Sequence, residues 1–508
     1  MDGEKKVGRR EFLRLTGGAA VAAYWGDGDQ RQGGATARVS DTTPAAGAPT
    51  APGGATADSR LAASTPLSRT TGPRTLLSGA VVVTCDEQHT VWDPGDVAIE
   101  ADRIVYAGPA YTGAYDNKLQ LSGRLLMPGL INAHTHTPMS LFRGLADDVD
   151  LGVFLQQRVW PREAQLTGQE AYAGSLLSAV EMLKSGVTTY VDMHFFEEDL
   201  VRAAIDAGSR AVITPGIIET PALTPVLGGW ERRTARVLEF CKRWDRAEGR
   251  IHTGLGPHAP YTLPLEALGE IAGEGRRADL PLHIHLVETS QERRDFNARG
   301  LGSTVGALRN VGFFEARVLA AHSVWLDAGD IEVYAANGVG IAHCPQSNAK
   351  LAVGVAPVPA LLAAGVHVGL GTDGPASNNN LNLWDELSLA PLLAKVVRPD
   401  PKVVPARDAL WMATRLGALA IHQPELGVIA ESYKADLVLL NLEAPTMVPV
   451  LAPGEYVQHL VYSAGRELVD SVWVNGRQVV AHGVVLTVEE VKVRQAAQRA
   501  AVHLSRRI

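Results

Sequence analysis

The sequence predicts an α/β fold: a (β/α)8 barrel of the TIM type, with a small composite β-sandwich domain built from both ends of the chain. Three observations lead there. Between about residues 125 and 423 an apolar, strand-like run followed by a polar or glycine-containing loop and a helix-like stretch recurs eight times. Short β-rich segments flank that region, and each group alone is too small to enclose a core. Histidines and carboxylates recur at the ends of the candidate strands, where a barrel gathers its reactive groups. A doubly wound open sheet is the alternative, but no Gly-x-Gly-x-x-Gly follows the first strand and no Gly-Lys pair marks a P-loop.

Composition limits the functions available. The chain has 508 residues, 46% hydrophobic and 20% charged, which fits a globular enzyme with ample core. A net charge of -8 leaves no basic stripe for phosphates, so nucleic acid is not expected as a partner. No apolar run is long enough for stable membrane insertion. The cysteines, Cys85, Cys241 and Cys344, are odd in number and widely spaced, which gives neither a disulfide framework nor a metal knuckle.

Taken in order, residues 1–25 read as a twin-arginine export signal: Arg9 and Arg10 precede Phe12-Leu13 and a mild apolar region. That implies an exported protein that meets the twin-arginine machinery; a basic frayed terminus on a cytoplasmic protein is the alternative. Residues 26–72, rich in Ala, Gly, Pro and Thr, bury too little to order themselves and read as a disordered linker. Residues 73–127 form the first part of the sandwich, with strands expected at 80–84, 96–100 and 103–107. The barrel occupies 128–423, its candidate strands beginning near Leu125, Gly186, Ala211, Arg250, Leu280, Val318, Gly338 and Gly365. Residues 424–508 complete the sandwich with strands at 435–440 and 471–480. They end in a helix whose start carries a capping-box pattern at Thr487 and Glu490.

The strand ends carry the chemistry. The first closes on His134 and His136, two residues apart and therefore on one face of a strand. The fourth runs into His258, the fifth carries His285 with Glu288 three residues on, the sixth ends in His322 and the eighth in Asp373. Burying so many polar groups without partners costs a few kcal/mol each. Imidazoles with a carboxylate suit one divalent ion such as Zn2+, leaving a position for water. The ion acidifies that water, and Glu288 is placed to carry protons between it and a small-molecule substrate.

Four stretches then carry a family resemblance. They are Met127-Pro128-Gly129-Leu130-Ile131-Asn132-Ala133-His134-Thr135-His136, His285-Leu286-Val287-Glu288-Thr289-Ser290, Ala321-His322, and Gly371-Thr372-Asp373-Gly374-Pro375-Ala376-Ser377-Asn378-Asn379. From about Leu76 onward the chain resembles the metal-dependent amidohydrolase superfamily, and within it the methylthioadenosine/S-adenosylhomocysteine deaminases, which share a branch with the chlorotriazine hydrolases. The resemblance implies a mononuclear site, Zn2+ or alternatively Fe2+, with His134, His136, His285 and Asp373 as ligands. It implies that His322 hydrogen-bonds the attacking hydroxide, that Asp373 accepts a proton from the water, and that Glu288 protonates a ring nitrogen as ammonia is expelled. Glu163 corresponds to the ribose-binding glutamate and His258 to a substrate-contacting histidine. The implied substrate is a 5′-modified adenosine; a triazine, guanine-like or cytosine-like ring is the alternative.

Two positions depart from the family pattern. Phe154 stands where a base-stacking tryptophan is common. Pro215 stands where an arginine would bind an amino-acid carboxylate, which weakens the case for S-adenosylhomocysteine unless Arg232 or Arg233 substitutes. His283 is read as a core residue facing away from His285; His343 and His367 as structural; Cys344 as a buried thiol; His194 as equally suited to core or pocket. An oligomer is compatible with the sequence.

Overall fold

The computed structural model describes residues 72–507. The export signal, and the linker apart from its last residue, lie outside the described residues. No described helix is long and apolar enough to cross a membrane.

The chain enters through β1 (Arg74–Val83), β2 (Val91–Glu100), β3 (Arg103–Gly108), β4 (Asn117–Gln120) and β5 (Arg124–Pro128). Parallel strands follow: β6 (Leu130–Thr135), β7 (Val187–Asp192), β8 (Arg210–Ile213), β9 (Gly216–Ile217), β10 (Ile251–Thr253), β11 (Gly256–Pro257), β12 (Leu282–Leu286), β13 (Val318–His322), β14 (Gly340–His343) and β15 (Val368–Leu370). The chain ends with β16 (Leu437–Asn441), β17 (Val469–Val474), β18 (Arg477–Ala481) and β19 (Val484–Val485).

Both ends of the chain share one nine-stranded sheet, in the order β19-β18-β17-β16-β5-β1-β2-β3 with β4 beside β1. The join is the antiparallel pair β16–β5, from Leu437 opposite Pro128 to Asn441 opposite Arg124. The sequence reading starts the first barrel strand near Leu125. Instead Leu125 belongs to this terminal sheet, and the first parallel strand begins at Leu130, past Gly129. Pro128-Gly129 marks that change of sheet, between two apolar segments that look alike.

The parallel strands β6, β7, β12 and β13 are buried along their length, as expected for a parallel sheet covered on both faces. They pair as β10-β8-β7-β6, β11-β9 and β12-β13-β14-β15. Single contacts join these groups. His283 N and His285 N donate to Leu255 O and His258 O, each at 2.9 Å, and Asp373 N donates to His134 O at 2.9 Å. Between the strands, Ile131, Val191, Val212 and Leu319 pack with Ala418 and Ile421. Gly340 permits that approach, because a Cβ there would stand 2.0 Å from Ala420 O.

A buried ion pair ties the terminal sheet to the parallel strands. Arg210, at the start of β8, places Nε 2.6 Å and Nη2 2.9 Å from the two carboxylate oxygens of Asp436, just before β16. Both residues are buried, and Asp436 also accepts from Asn475 N at 2.7 Å.

The terminal helix runs from Glu490 to Ser505, and the expected capping box does not form. Thr487 Oγ1 donates to Ala207 O at 2.6 Å, while Glu490 pairs with Lys184 at 2.8 Å and accepts from Val485 N. Partners distant in sequence take both side chains away from the local cap.

Candidate active site

The ends of β6, β12, β13 and β15 bring the expected chemistry to one place. His134 Nε2 and His136 Nε2 each lie 3.3 Å from Asp373 Oδ1, and His136 Nε2 is 3.1 Å from His285 Nε2. The ligand atoms of His134, His136 and His285 fall within 4.8 Å of one another, as do those of His134, His322 and Asp373. All five side chains are buried. Three of these strands are left through strained backbone: Val287, His322 and Asp373 have φ of 52°, 69° and 60°. Left-handed conformations at non-glycine residues are costly and cluster at functional sites.

The donor set fits a divalent cation. His134 Nε2 is buried with no full hydrogen-bond partner, although it faces the other imidazoles and the carboxylate. Burial and neighbouring imidazoles keep His285 neutral, its pKa well below the ordinary value, and burial pushes His134 down to about 4. Burial also opposes charge on His136, but the Asp373 carboxylate overrides it and raises that imidazole to about 9. Burial would likewise favour the protonated acid at Asp373, yet contacts with His134 and His136 hold it well below the usual carboxylate range. Asp373 is aimed by its other oxygen, Oδ2, which accepts from Ser347 Oγ at 2.7 Å and Ser377 Oγ at 2.8 Å. Two neutral imidazoles, His134 and His285, together with the ionised Asp373 and with His136 once a bound cation displaces its proton, form a ligand set for an ion with a preference for nitrogen and oxygen.

Glu288 and His322 stand beside this cluster, with Glu288 Oε1 3.9 Å from His322 Nε2. Burial raises the Glu288 pKa and the Asp373 charge adds to it, while the His322 imidazole opposes the shift. His322 is oriented by Asn348, with Nδ1 2.9 Å from Oδ1. The turn before Glu288 is tied by Glu292, whose Oε1 accepts from Val287 N at 3.0 Å. Burial pushes the Glu292 carboxyl up to about 8.

These groups open into a pocket. Glu163, Phe154, Trp160, His194, His258 and Tyr261 contribute to its walls, together with aliphatic residues such as Leu151 and Ile218. A π-helical turn, Phe154–Val159, presents Phe154 to the pocket and passes into the short helix Trp160–Glu163. Such turns are frequent at functional sites. Glu163 Oε1 lies 2.9 Å from His194 Nε2, but the angle does not make a full hydrogen bond, so both groups keep capacity for a ligand hydroxyl. His194, balanced between two readings by sequence, therefore faces the pocket.

Two expectations are corrected. His283 does not face away from His285: two residues apart on β12 they share a face, and His283 Nε2 lies 2.8 Å from His134 Nδ1. Neither arginine after β9 replaces the cation missing at Pro215. Arg233 is buried against Glu197, at 3.1 and 2.9 Å, and Arg232 is exposed and does not line the pocket. Among the described residues, no lysine or arginine lines the pocket. The remaining readings fit: His343 and Cys344 are buried outside the pocket, and His367 is half-buried. Sequence reasoning missed Ser347, Ser377, Asn348, Thr214 and Glu292. Only Ser377 lay within a motif already singled out.

Comparison with known proteins agrees with this geometry. The model of the Amidohydrolase family matches residues 125–479. A 5-methylthioadenosine/S-adenosylhomocysteine deaminase of Desulforudis audaxviator (strain MP104C) is 44% identical over 416 residues, 81% of this chain and 95% of its own. A 5′-deoxyadenosine deaminase of Methanosarcina mazei is 40% identical over 439 residues, 85% of this chain and 99% of its own. The crystal structure of an adenosine deaminase from Xanthomonas campestris with bound zinc superposes with a TM-score of 0.81 at 33% identity, covering 85% of this chain and 98% of that one. An atrazine chlorohydrolase from Arthrobacter aurescens TC1, complexed with zinc, gives 0.77 at 25% identity, covering 84% and 100%. With the family match spanning more than half its length and its relatives covered almost end to end, the chain belongs to the amidohydrolase family.

Proposed function

We propose that this protein is a metal-dependent hydrolytic deaminase of a 6-aminopurine nucleoside, a 5′-modified adenosine of the methylthioadenosine type, with ammonia as the second product. One observation carries this reading: a single pocket is lined both by the imidazole–carboxylate cluster with Glu288 and by the Glu163–His194 pair. The deaminases at 40 and 44% identity support the same substrate class.

A divalent ion, zinc by preference, held by His134, His136, His285 and Asp373 would bring the pKa of a water molecule toward neutrality. The protein's own groups do the rest. Glu163 and His258 bind the nucleoside's hydroxyl and 5′ portion, and Phe154 lies against the base. Glu288, whose pKa burial raises, is placed to give a proton to the ring nitrogen beside the amine-bearing carbon. That makes the carbon more electrophilic, and the oxygen of water adds to it. Asp373 takes the proton released by the attacking water, and His322 donates to or accepts from the incoming oxygen. Asp373 passes its proton on to the amine, the carbon–nitrogen bond breaks, and ammonia leaves as the hydroxyl proton goes to the Glu288 carboxylate and the ring carbonyl forms.

The parallel strands are read as one closed (β/α)8 barrel and the nine-stranded sheet as the composite sandwich. The single hydrogen bonds at Leu255, His258 and His134 support the first, and the β16–β5 pairing supports the second. Arg9 and Arg10 support export.

A second reading, displacement of an amine or halide from a triazine-like ring, is favoured by the likeness to the atrazine chlorohydrolase. An ammonia-release screen of zinc-loaded protein against adenosine, 5′-substituted adenosines, guanine, cytosine and aminotriazines separates the two. Turnover of 5′-substituted adenosines supports the nucleoside reading; inert adenosines beside an active triazine or free base overturn it.

A further inference from the structure

The three imidazoles of the ligand cluster each turn Nδ1 toward a supporting acceptor. For His136 and His285 that acceptor is backbone, the carbonyls of Met193 and His258. His134 differs, because its Nδ1 meets a side chain, His283 Nε2, at 2.8 Å. Behind it, His283 Nδ1 lies 2.8 Å from Thr214 Oγ1, and Thr214 Oγ1 donates to Asp192 O at 3.0 Å. His134, Thr214 and His283 are 0, 1 and 1% exposed.

The direction of this chain follows from donor counting. A carbonyl only accepts, and a hydroxyl has one hydrogen. Thr214 gives that hydrogen to Asp192 O, so its oxygen must accept from His283 Nδ1–H. Neutral His283 then carries no hydrogen on Nε2, which accepts from His134 Nδ1–H. His134 Nε2 is left with a lone pair directed at the cluster, which accounts for its lack of a full partner within the protein.

We infer that His283, backed by Thr214, is the positioning residue for His134: it fixes that ligand's tautomer and ring orientation and thereby sets the affinity of the metal centre. Partners of this kind typically contribute about 10- to 100-fold to metal affinity. His283 is also the one support in the trio that a side-chain substitution removes outright. The inference rests on the metal reading above.

Competition between metal-stripped protein and a chromogenic chelator measures zinc affinity in the parent and in His283→Leu, His283→Gln, Thr214→Val and Thr214→Ser, with circular dichroism reporting the fold. Leucine offers no acceptor to His134, whereas the glutamine oxygen does. His283→Leu should weaken zinc binding about 10- to 100-fold, and His283→Gln should recover much of the loss. Thr214→Val should weaken binding less, and Thr214→Ser should match the parent. A folded His283→Leu protein within about twofold of the parent, or a glutamine variant as weak as leucine, overturns the inference. If His283→Leu does not fold, equal affinities for Thr214→Val and Thr214→Ser overturn it. A parent that binds no zinc removes the metal reading itself, and this inference with it.

Discussion

In the pocket wall the carboxylate of Glu163 and the imidazole of His194 stand 2.9 Å apart, both buried, without completing a hydrogen bond to each other. A sugar diol is the kind of ligand that satisfies such a pair. Hydrogen bonds to a charged group contribute about 1.5–3 kcal/mol, or roughly 10- to 100-fold. Glu163→Gln should therefore lower kcat/KM by about that factor on a ribonucleoside, mostly through KM. The loss should shrink for the 2′-deoxy analogue. Steady-state kinetics on the two substrates checks this, and equal losses on both would argue against a diol contact.

Glu288 is assigned proton transfer, so Glu288→Gln should cut kcat by about 10²- to 10⁴-fold. Because Glu288 is not among the assigned ligands, metal content measured by elemental analysis should match the parent. A variant with full activity would remove Glu288 from the mechanism.

Glu292 gives stability a pH dependence whose sign is fixed. Its carboxyl is raised from 4.5 to about 8 by burial, so between those values the folded protein holds a proton that the unfolded chain releases. The contribution is fully present below about pH 4.5 and is lost as pH rises through 8, at up to about 1.4 kcal/mol per unit. Glu292→Gln keeps an oxygen for Val287 N and removes the titration. Urea denaturation from pH 5 to 8 should show the parent losing stability relative to this variant; parallel curves would refute the assignment.

The Arg210–Asp436 pair should matter for stability rather than for chemistry. Removing one partner of a buried ion pair costs about 3–5 kcal/mol because the other charge is left alone. Asp436→Ala should lose about that much in denaturant titration. A loss below about 1 kcal/mol would mean that Arg210 finds other partners.

The clustered side chains were legible because strand alternation is local: His134 and His136 share a face by spacing alone, and His285, His322 and Asp373 close recognisable apolar runs. The same rule, applied to His283, gives the side the structure shows, so that signal was present in the sequence. Other features had no local signal. Glu163 meets His194 from an element 31 positions away, and nothing in either segment announces the other. Arg233 looks free in sequence until Glu197 is seen to hold it. Thr487 and Glu490 carry a capping pattern, yet Ala207 and Lys184 claim them. Pro128-Gly129 was a local turn signal at the step from β5 to β6, but the apolar segments on either side look the same whichever sheet they join.

The central claim is that water, activated at the His134–His136–His285–Asp373 cluster, replaces the amine of a 5′-modified adenosine. The most direct test incubates zinc-loaded and metal-stripped protein with 5′-deoxyadenosine in ¹⁸O-labelled water, following ammonia release and product mass. Ammonia and labelled oxygen in the purine ring carbonyl are expected in equal amounts, from the zinc-loaded protein only. Zinc-loaded protein that leaves this nucleoside and its methylthio analogue unchanged, or stripped protein that converts them at the same rate, would contradict the central claim.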